Sequence, residues 1–258
     1  ALHFWEEPCI SGQTGAGTVF FSGCTLGCVF CQNRPISREH FGKALTPDEL
    51  YAVFGRLADQ GAACIELVTP THFTHVLAKV LERPVPGGLP VVWNSGGYER
   101  RPALRTLEGR IDVYLPDLKY LTPALAKKYS GAADYPEAAQ AAILEMYRQR
   151  GPARIEGGLL KSGVLIRHLI LPGHVGEAKR VMDWVAEAFP PGAVLFSLMA
   201  QYTPVGPPDG FPELGRPLRP SELRAARAYM EGLGLAGYVQ ELGSSGEGFI
   251  PAFDLTGL

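Results

Sequence analysis

Apolar residues along this chain recur in two alternating rhythms. Thr18-Val19-Phe20-Phe21 is a short β-branched and aromatic run bounded by glycines, which predicts a strand. At Thr46-Pro47-Asp48-Glu49 the signals become helical, with a capping residue, a proline at the first helical position and a glutamate at the capping-box position. Leu50, Val53, Phe54 and Leu57 then follow at helical spacing, and Gly61 closes the segment. The same alternation continues to the end. Strands are predicted at 64–68, 91–93, 111–115, 164–171 and 194–198, and helices at 73–81, 103–107, 124–129, 137–149, 177–189 and, capped by Ser221, up to Gly232. Strands that alternate with helices imply a parallel sheet with right-handed crossovers. A closed barrel needs eight such units, so six leave an incomplete barrel or an open doubly wound sheet.

Composition narrows the class without changing this picture. The 258 residues are 46% hydrophobic and 19% charged, which is globular, and the formal net charge of −2 comes with no long charged block. A broad electrostatic footprint for nucleic acid is absent. No apolar run reaches membrane-spanning length and the opening residues lack a signal-peptide pattern, so the expected location is cytoplasmic, with no membrane partner. The expected organisation is one domain over 1–258, with a core at about 14–240. The Pro-rich stretch 203–220 is expected to form an ordered loop over one end, and 241–258 a tail whose aromatics dock on the body.

Three of the five cysteines fall within eight residues, Cys24-Thr25-Leu26-Gly27-Cys28-Val29-Phe30-Cys31. Thiolates are soft ligands that suit zinc or iron–sulfur clusters. Zinc sites usually pair CxxC arms, and no second arm exists here. A cubane held by three cysteines keeps one iron without a protein ligand, open to a substrate or cofactor. Gly23 and Gly27 let the loop wrap closely around such a group.

The CxxxCxxC spacing, with an aromatic at Phe30, resembles the radical S-adenosylmethionine (SAM) superfamily. The context from Thr18 to Asn33 and the opening Trp5-Glu6-Glu7-Pro8-Cys9 are similar to its pyruvate formate-lyase activating enzyme-like branch, the glycyl-radical enzyme activases. The resemblance implies a partial (β/α)6 barrel, an incomplete TIM barrel with the N-terminal segment and C-terminal tail packed on it. It also implies a 4Fe-4S cluster on Cys24, Cys28 and Cys31, whose open iron chelates SAM. Reductive cleavage then gives a 5′-deoxyadenosyl radical that abstracts hydrogen from a protein or peptide. A flavodoxin- or ferredoxin-type electron donor is the expected partner. Five cysteines do not suffice for a second such cluster.

Other residues follow from strand ends, where barrel active sites gather. Asp117-Leu118-Lys119 resembles the DxK element of the activating enzymes, in which the lysine approaches the cofactor carboxylate and the aspartate joins residues after the preceding strand, here Asn94 and Ser95, around a monovalent cation. Asn94 stands where that site carries an acidic ligand. The branch's GGE-type motif, which binds the methionine amine, is replaced by Leu67-Val68-Thr69-Pro70-Thr71-His72, so Thr69 and Thr71 are the substitutes, with helix capping as the rival role of Thr71. Phe30 is expected near the adenine, and Gln201 and Tyr202 at the same opening. Only one of Arg167 and His168 points inward; the family's RxxxxP pattern selects Arg167. His174 is expected on the substrate side, with helix capping as the rival. Cys9 is a candidate hydrogen donor at the barrel mouth, and Cys64 a buried hydrophobe. Against the polypeptide reading stand a radical enzyme acting on a small molecule and a non-catalytic iron–sulfur or zinc module.

Overall fold

The computed structural model describes residues 1–204, 210–240, 253 and 255. A short arm of β1 (Leu2–His3) and α1 (Pro8–Ser11) leads into β2 (Ala16–Phe20), and the cysteine loop and α2 (Arg34–Ser37) follow. Helix and strand then alternate through α3 (Pro47–Asp59), β3 (Ile65–Val68), α4 (Thr74–Val80), β4 (Val91–Ser95), α5 (Arg101–Arg105) and β5 (Val113–Pro116). Two helices, α6 (Pro123–Ser130) and α7 (Tyr135–Arg150), precede the hairpin of β6 (Arg154–Glu156) and β7 (Leu159–Leu169). The chain closes with α8 (Val175–Ala188), β8 (Leu195–Met199), α9 (Pro220–Gly232) and β9 (Gly237–Val239).

The strands form one sheet in the order β1-β2-β3-β4-β5-β7-β8-β9, with β6 attached to β7. Each pairing from β2 along this path to β9 is parallel, whereas β1 runs antiparallel at one edge. Curling is read from the side chains. Ala16 on β2, Val92 on β4, Val113 and Leu115 on β5, Leu165 on β7 and Leu195 on β8 form one buried cluster. Helix α1 stands between β1 and β2 in the chain yet packs against β7, which in a flat sheet would lie about 19 Å from β2, four strand spacings; the strands therefore curl into an incomplete barrel rather than the flat doubly wound alternative.

Alternation along the strands divides two environments. Outward residues such as Trp93, Tyr114, Ile166 and Phe196 are buried under the helices. Each such side chain contributes roughly 1.5–3 kcal/mol by leaving water. Inward residues form a dry floor and, above it, a polar layer. Cys9 and Ile10 of α1 belong to the floor cluster with Cys64, so the arm plugs the end of the barrel where the strands begin.

Several boundaries differ from the sequence pattern. The helix expected from Phe73 starts at Thr74 after a 3-10 turn at Thr71–Phe73. The cap of α9 is Arg219 rather than Ser221: Pro220 takes the first helical position and the Arg219 N–H donates to Glu222 at 2.8 Å. The β6–β7 hairpin, turning on Gly157 and Gly158 at positive φ, extends the predicted strand backwards. In the Pro-rich stretch, a 3-10 turn at Pro212–Leu214 is held by Tyr202, whose hydroxyl donates to the Leu214 carbonyl at 2.8 Å; residues 205–209 lie outside the described residues. So does the expected tail, save Phe253, whose ring meets Phe20 edge-on at 5.4 Å, and Leu255.

Candidate active site

The loop after β2 is anchored from both sides. The Gly23 N–H donates to the Ile36 carbonyl at 2.8 Å, Gly27 to the carbonyl of Ser130 at 3.1 Å and Val29 to that of Tyr129 at 2.9 Å. Gly23 has φ +89°, and a Cβ there would sit 3.0 Å from His72 Nε2, so both conformation and space call for glycine. These ties carry Cys24, Cys28 and Cys31 to the wall of a cavity of about 560 Å3, within the usual range for ligand sites.

Each thiol has a polar neighbour. Cys28 Sγ lies 3.0 Å from Ser130 Oγ, which is itself 3.0 Å from the Tyr120 hydroxyl. Cys31 Sγ is 3.3 Å from Ser37 Oγ, and Cys24 Sγ accepts from the Leu26 N–H at 3.4 Å. Burial pushes the Cys24 and Cys28 thiols up, and the Lys119 ammonium opposes this. Among the described residues no three His, Cys, Asp or Glu side chains form a site for a single ion.

A chain of buried polar contacts crosses the barrel beneath the cysteines. Thr18 donates to Glu66 Oε2 at 2.9 Å, and Asn94 Nδ2 to Glu66 Oε1 at 2.7 Å. The Arg167 guanidinium then joins three strands and the arm, reaching Asn94 Oδ1 at 2.6 Å, Asp117 Oδ1 at 3.0 Å and Glu6 Oε2 at 3.2 Å. Lys119 Nζ completes it on Asp117 Oδ2 at 2.6 Å. Burial pushes the Asp117 carboxyl up, but the charges of Lys119 and Arg167 overcome this and hold it below its ordinary value. Glu6 is held well above its ordinary value by burial and the nearby Glu66 charge; burial also raises Glu66.

Of the residues singled out from sequence, Cys24, Cys28, Cys31, Phe30, Thr69, Asn94, Ser95, Asp117, Lys119, Arg167 and Gln201 line this one cavity. Thr69 holds φ +59°, a strained conformation for a β-branched residue, at the strand end where the motif departs from the glycine-rich pattern. Arg167 faces in, and His168 faces out, its Nδ1 2.7 Å from the Leu118 carbonyl.

Four residues do not line it. Thr71 donates to Glu99 at 2.8 Å, and it opens the 3-10 turn rather than capping a helix. His174 heads α8 with Nε2 2.9 Å from the Tyr129 hydroxyl. Tyr202 is spent on Leu214, though its ring stands 6.3 Å from Phe30. Cys9 lies in the barrel floor, not at the mouth, where burial pushes its thiol up to about 11. Conversely, Glu6, Glu7 and Trp5 line the cavity. Sequence reasoning gave them no role, although they stand in the Trp-Glu-Glu-Pro-Cys opening.

Comparison with known proteins decides the family. The family description "Radical SAM superfamily" matches residues 18–185, from β2 into α8. The chain belongs to the radical SAM superfamily. Among its relatives is an uncharacterized protein of Methanocaldococcus jannaschii, 27% identical over 235 residues; these span 87% of this chain and 64% of that protein. Among solved structures, SuiB of Streptococcus suis, crystallised with its precursor peptide SuiA, superposes with a TM-score of 0.57 at 12% identity, covering 87% of this chain and 48% of SuiB. A domain of a pyruvate-formate lyase-activating enzyme from Bacteroides vulgatus gives a TM-score of 0.47 at 12% identity, covering 88% of this chain and all of that domain. The chain thus spans less than two thirds of the first two proteins' lengths.

The residues present fit the superfamily's cofactors. A cubane gives each thiolate its own iron, so the three sulfurs need not converge on one ion-sized point, and the hydroxyls of Ser130 and Ser37 are placed to donate to thiolate sulfur. A monovalent cation does not fit as well. The Asn94 and Asp117 oxygens that the resemblance assigns to it already bind the Arg167 and Lys119 cations. Among the described residues no helix is long and apolar enough to cross a membrane.

Proposed function

We propose that this chain is one radical SAM domain that cleaves SAM reductively and abstracts hydrogen from a polypeptide. The carrying observation is that three cysteines and Lys119 line one cavity of about 560 Å3. Cys24, Cys28 and Cys31 would hold a 4Fe-4S cluster, which would supply the electron for reductive cleavage of SAM.

The chain's own groups do the positioning. Lys119, a compact cation kept charged by Asp117, binds the cofactor carboxylate. The strained Thr69 presents its hydroxyl and backbone to the cofactor amine, and Phe30 and Gln201 flank the nucleoside. Arg167 fixes Asp117 and Asn94, so Lys119 is held without loop freedom. Ser130 and Ser37 donate to the thiolates and moderate their charge. Electrons come from a flavodoxin- or ferredoxin-type protein in the cytoplasm.

A polypeptide substrate is favoured because, among the described residues, the edge strands β1 and β9 are not paired with each other, as in a barrel open on one side. SuiB, similar in fold, is bound to a precursor peptide. A small-molecule substrate is the second reading, favoured by the enclosure the arm gives the cavity.

The test is anaerobic reconstitution with iron and sulfide, then dithionite and SAM. About four irons per chain and release of 5′-deoxyadenosine are expected, and Cys28→Ala should lose both. A full cluster without 5′-deoxyadenosine defeats the proposal. Deuterium transfer into 5′-deoxyadenosine from labelled peptides or metabolites separates the two substrate readings.

A further inference from the structure

The segment 34–43, α2 and the turn after it, covers the outside of the cysteine loop. It meets that loop at three places. At the Cys24 end, Ser22 Oγ donates to the Phe41 carbonyl, and a Cβ on Gly42 would stand 3.0 Å from that same oxygen. In the middle, the Arg38 guanidinium rests on Gly27 so closely that a Cβ there would collide with it. At the Cys31 end, Ser37 Oγ lies 3.3 Å from the sulfur. Ile36 and Ser37 are buried against the loop, while every residue from Arg38 to Lys43 is exposed. One layer of chain therefore separates the thiols from solvent here.

The face this cover presents is basic. Arg34, Arg38 and Lys43 stand against one acid, Glu39, in a chain whose net charge is −2. Glu39 pairs with Arg34 at 3.4 Å. Arg38 and Lys43 form no ion pair among the described residues. The Arg38 charge reaches the Cys24 thiol, and the Lys43 charge reaches Glu49, whose carboxylate is spent on Thr46. Between these two cations stands Phe41, 43% exposed, with its backbone N–H pinned to the Pro35 carbonyl at 3.0 Å. Aromatic residues and arginine are enriched in protein interfaces, whereas a merely solvated surface has no use for an exposed ring.

We propose that the segment 34–43 is the docking surface for the electron carrier, a protein with an acidic face that gives up one electron at a time. This rests on the reading of the cavity as a radical SAM site, and it locates the partner which that reading requires. The electron must come from outside, since five cysteines do not suffice for a second cluster to relay it. In the step itself the carrier is oxidised by one electron and the centre on the three cysteines is reduced by one, with no bond made or broken. Redox encounters bury little area, so a patch of this size is enough. The acidic face is drawn to Arg34, Arg38 and Lys43, and the Phe41 ring supplies the apolar contact.

The experiment follows reduction of the reconstituted protein by stopped-flow absorbance. The reductants are a reduced flavodoxin and a reduced plant-type ferredoxin, both chosen for an acidic surface, and photoreduced 5-deazariboflavin, which is small and neutral. With at least one carrier, the wild-type second-order rate should fall about tenfold between about 50 mM and about 500 mM salt. Arg34→Glu with Lys43→Glu should slow that carrier about tenfold at low salt and flatten the salt dependence. Phe41→Ala should slow it about tenfold at every salt concentration. Arg34→Gln with Lys43→Gln, a milder change, should slow it about threefold at low salt and replaces the charge reversal if that fails to fold. Reduction by deazariboflavin should match wild type throughout, because none of these side chains touches a cysteine. Equal rates in wild type and variants with both carriers, at every salt concentration, overturn the docking surface whether or not 5′-deoxyadenosine is released. A protein that deazariboflavin reduces without any release of 5′-deoxyadenosine refutes the functional reading instead, and the charge and salt dependence still decide the surface.

Discussion

Replacing Arg167 by methionine keeps most of the side-chain bulk and removes the charge at the crossing point of the buried network. Three hydrogen bonds disappear, to Asp117, Glu6 and Asn94. At about 1.5–3 kcal/mol each for charged partners, a simple sum would reach roughly 5–9 kcal/mol. That overstates the loss, because the partners can respond. Asp117 keeps Lys119 at 2.6 Å. Glu6, already held well above its ordinary value, escapes by taking a proton. Asn94 Oδ1 is left orphaned. The expected cost is therefore that of breaking one buried pair, about 3–5 kcal/mol. Little is lost to solvent screening, since the Arg167, Asp117 and Glu6 side chains are only 13%, 17% and 12% exposed. Urea unfolding of the cluster-free protein at pH 7, followed by circular dichroism, measures it. Adding Glu6→Gln to the variant should restore about 1–2 kcal/mol, because the cost of protonating the Glu6 carboxyl at pH 7 is then gone. A loss below 1 kcal/mol for the single variant, or no recovery in the double, would refute the picture of Arg167 as the centre of a dry ion network.

Three further outcomes follow from neighbouring residues. Lys119→Ala should retain iron but weaken SAM binding about 10- to 100-fold by equilibrium dialysis; unchanged affinity removes Lys119 from the cofactor site. Because burial raises Glu6, the folded state prefers its protonated form, and wild type loses stability as pH rises from the unfolded value near ~4.3 through the raised folded value. Glu6→Gln should therefore gain on wild type between pH 5 and pH 8 in urea melts, and an equal difference at both would contradict the burial argument. Gly97 sits at φ +76°, and a Cβ there would collide with the Asp117 carbonyl oxygen. Gly97→Ala should cost about 2–3 kcal/mol and lower SAM affinity; wild-type thermal stability would show that the β4 and β5 ends are not locked together.

Much of the scaffold was legible because it is periodic. Alternating runs located β2 to β5, β7 and β8, and period-two geometry with the RxxxxP pattern put Arg167 inside and His168 outside. What escaped was non-periodic. The three residues of β6 are all exposed, so no apolar signal marked them, and only Gly157-Gly158 advertised a turn. Helix α1 has four residues, too few for a helical rhythm, and its place under the barrel is set by the fit of Cys9 and Ile10 to the floor. Directions of loop side chains were equally hidden. Thr71, His174 and Tyr202 stand at the right strand ends, but Glu99, Tyr129 and the Leu214 carbonyl claim them. Sequence spacing fixes where a residue stands on the barrel rim, and tertiary partners decide where its polar atom goes.

The central claim is that one cavity holds both the cluster and SAM in contact. The reduced, reconstituted protein should give an electron paramagnetic resonance spectrum that changes when SAM is added, and should not change in Cys28→Ala, which lacks the cluster. An intact cluster whose spectrum is the same with and without saturating SAM would contradict the account.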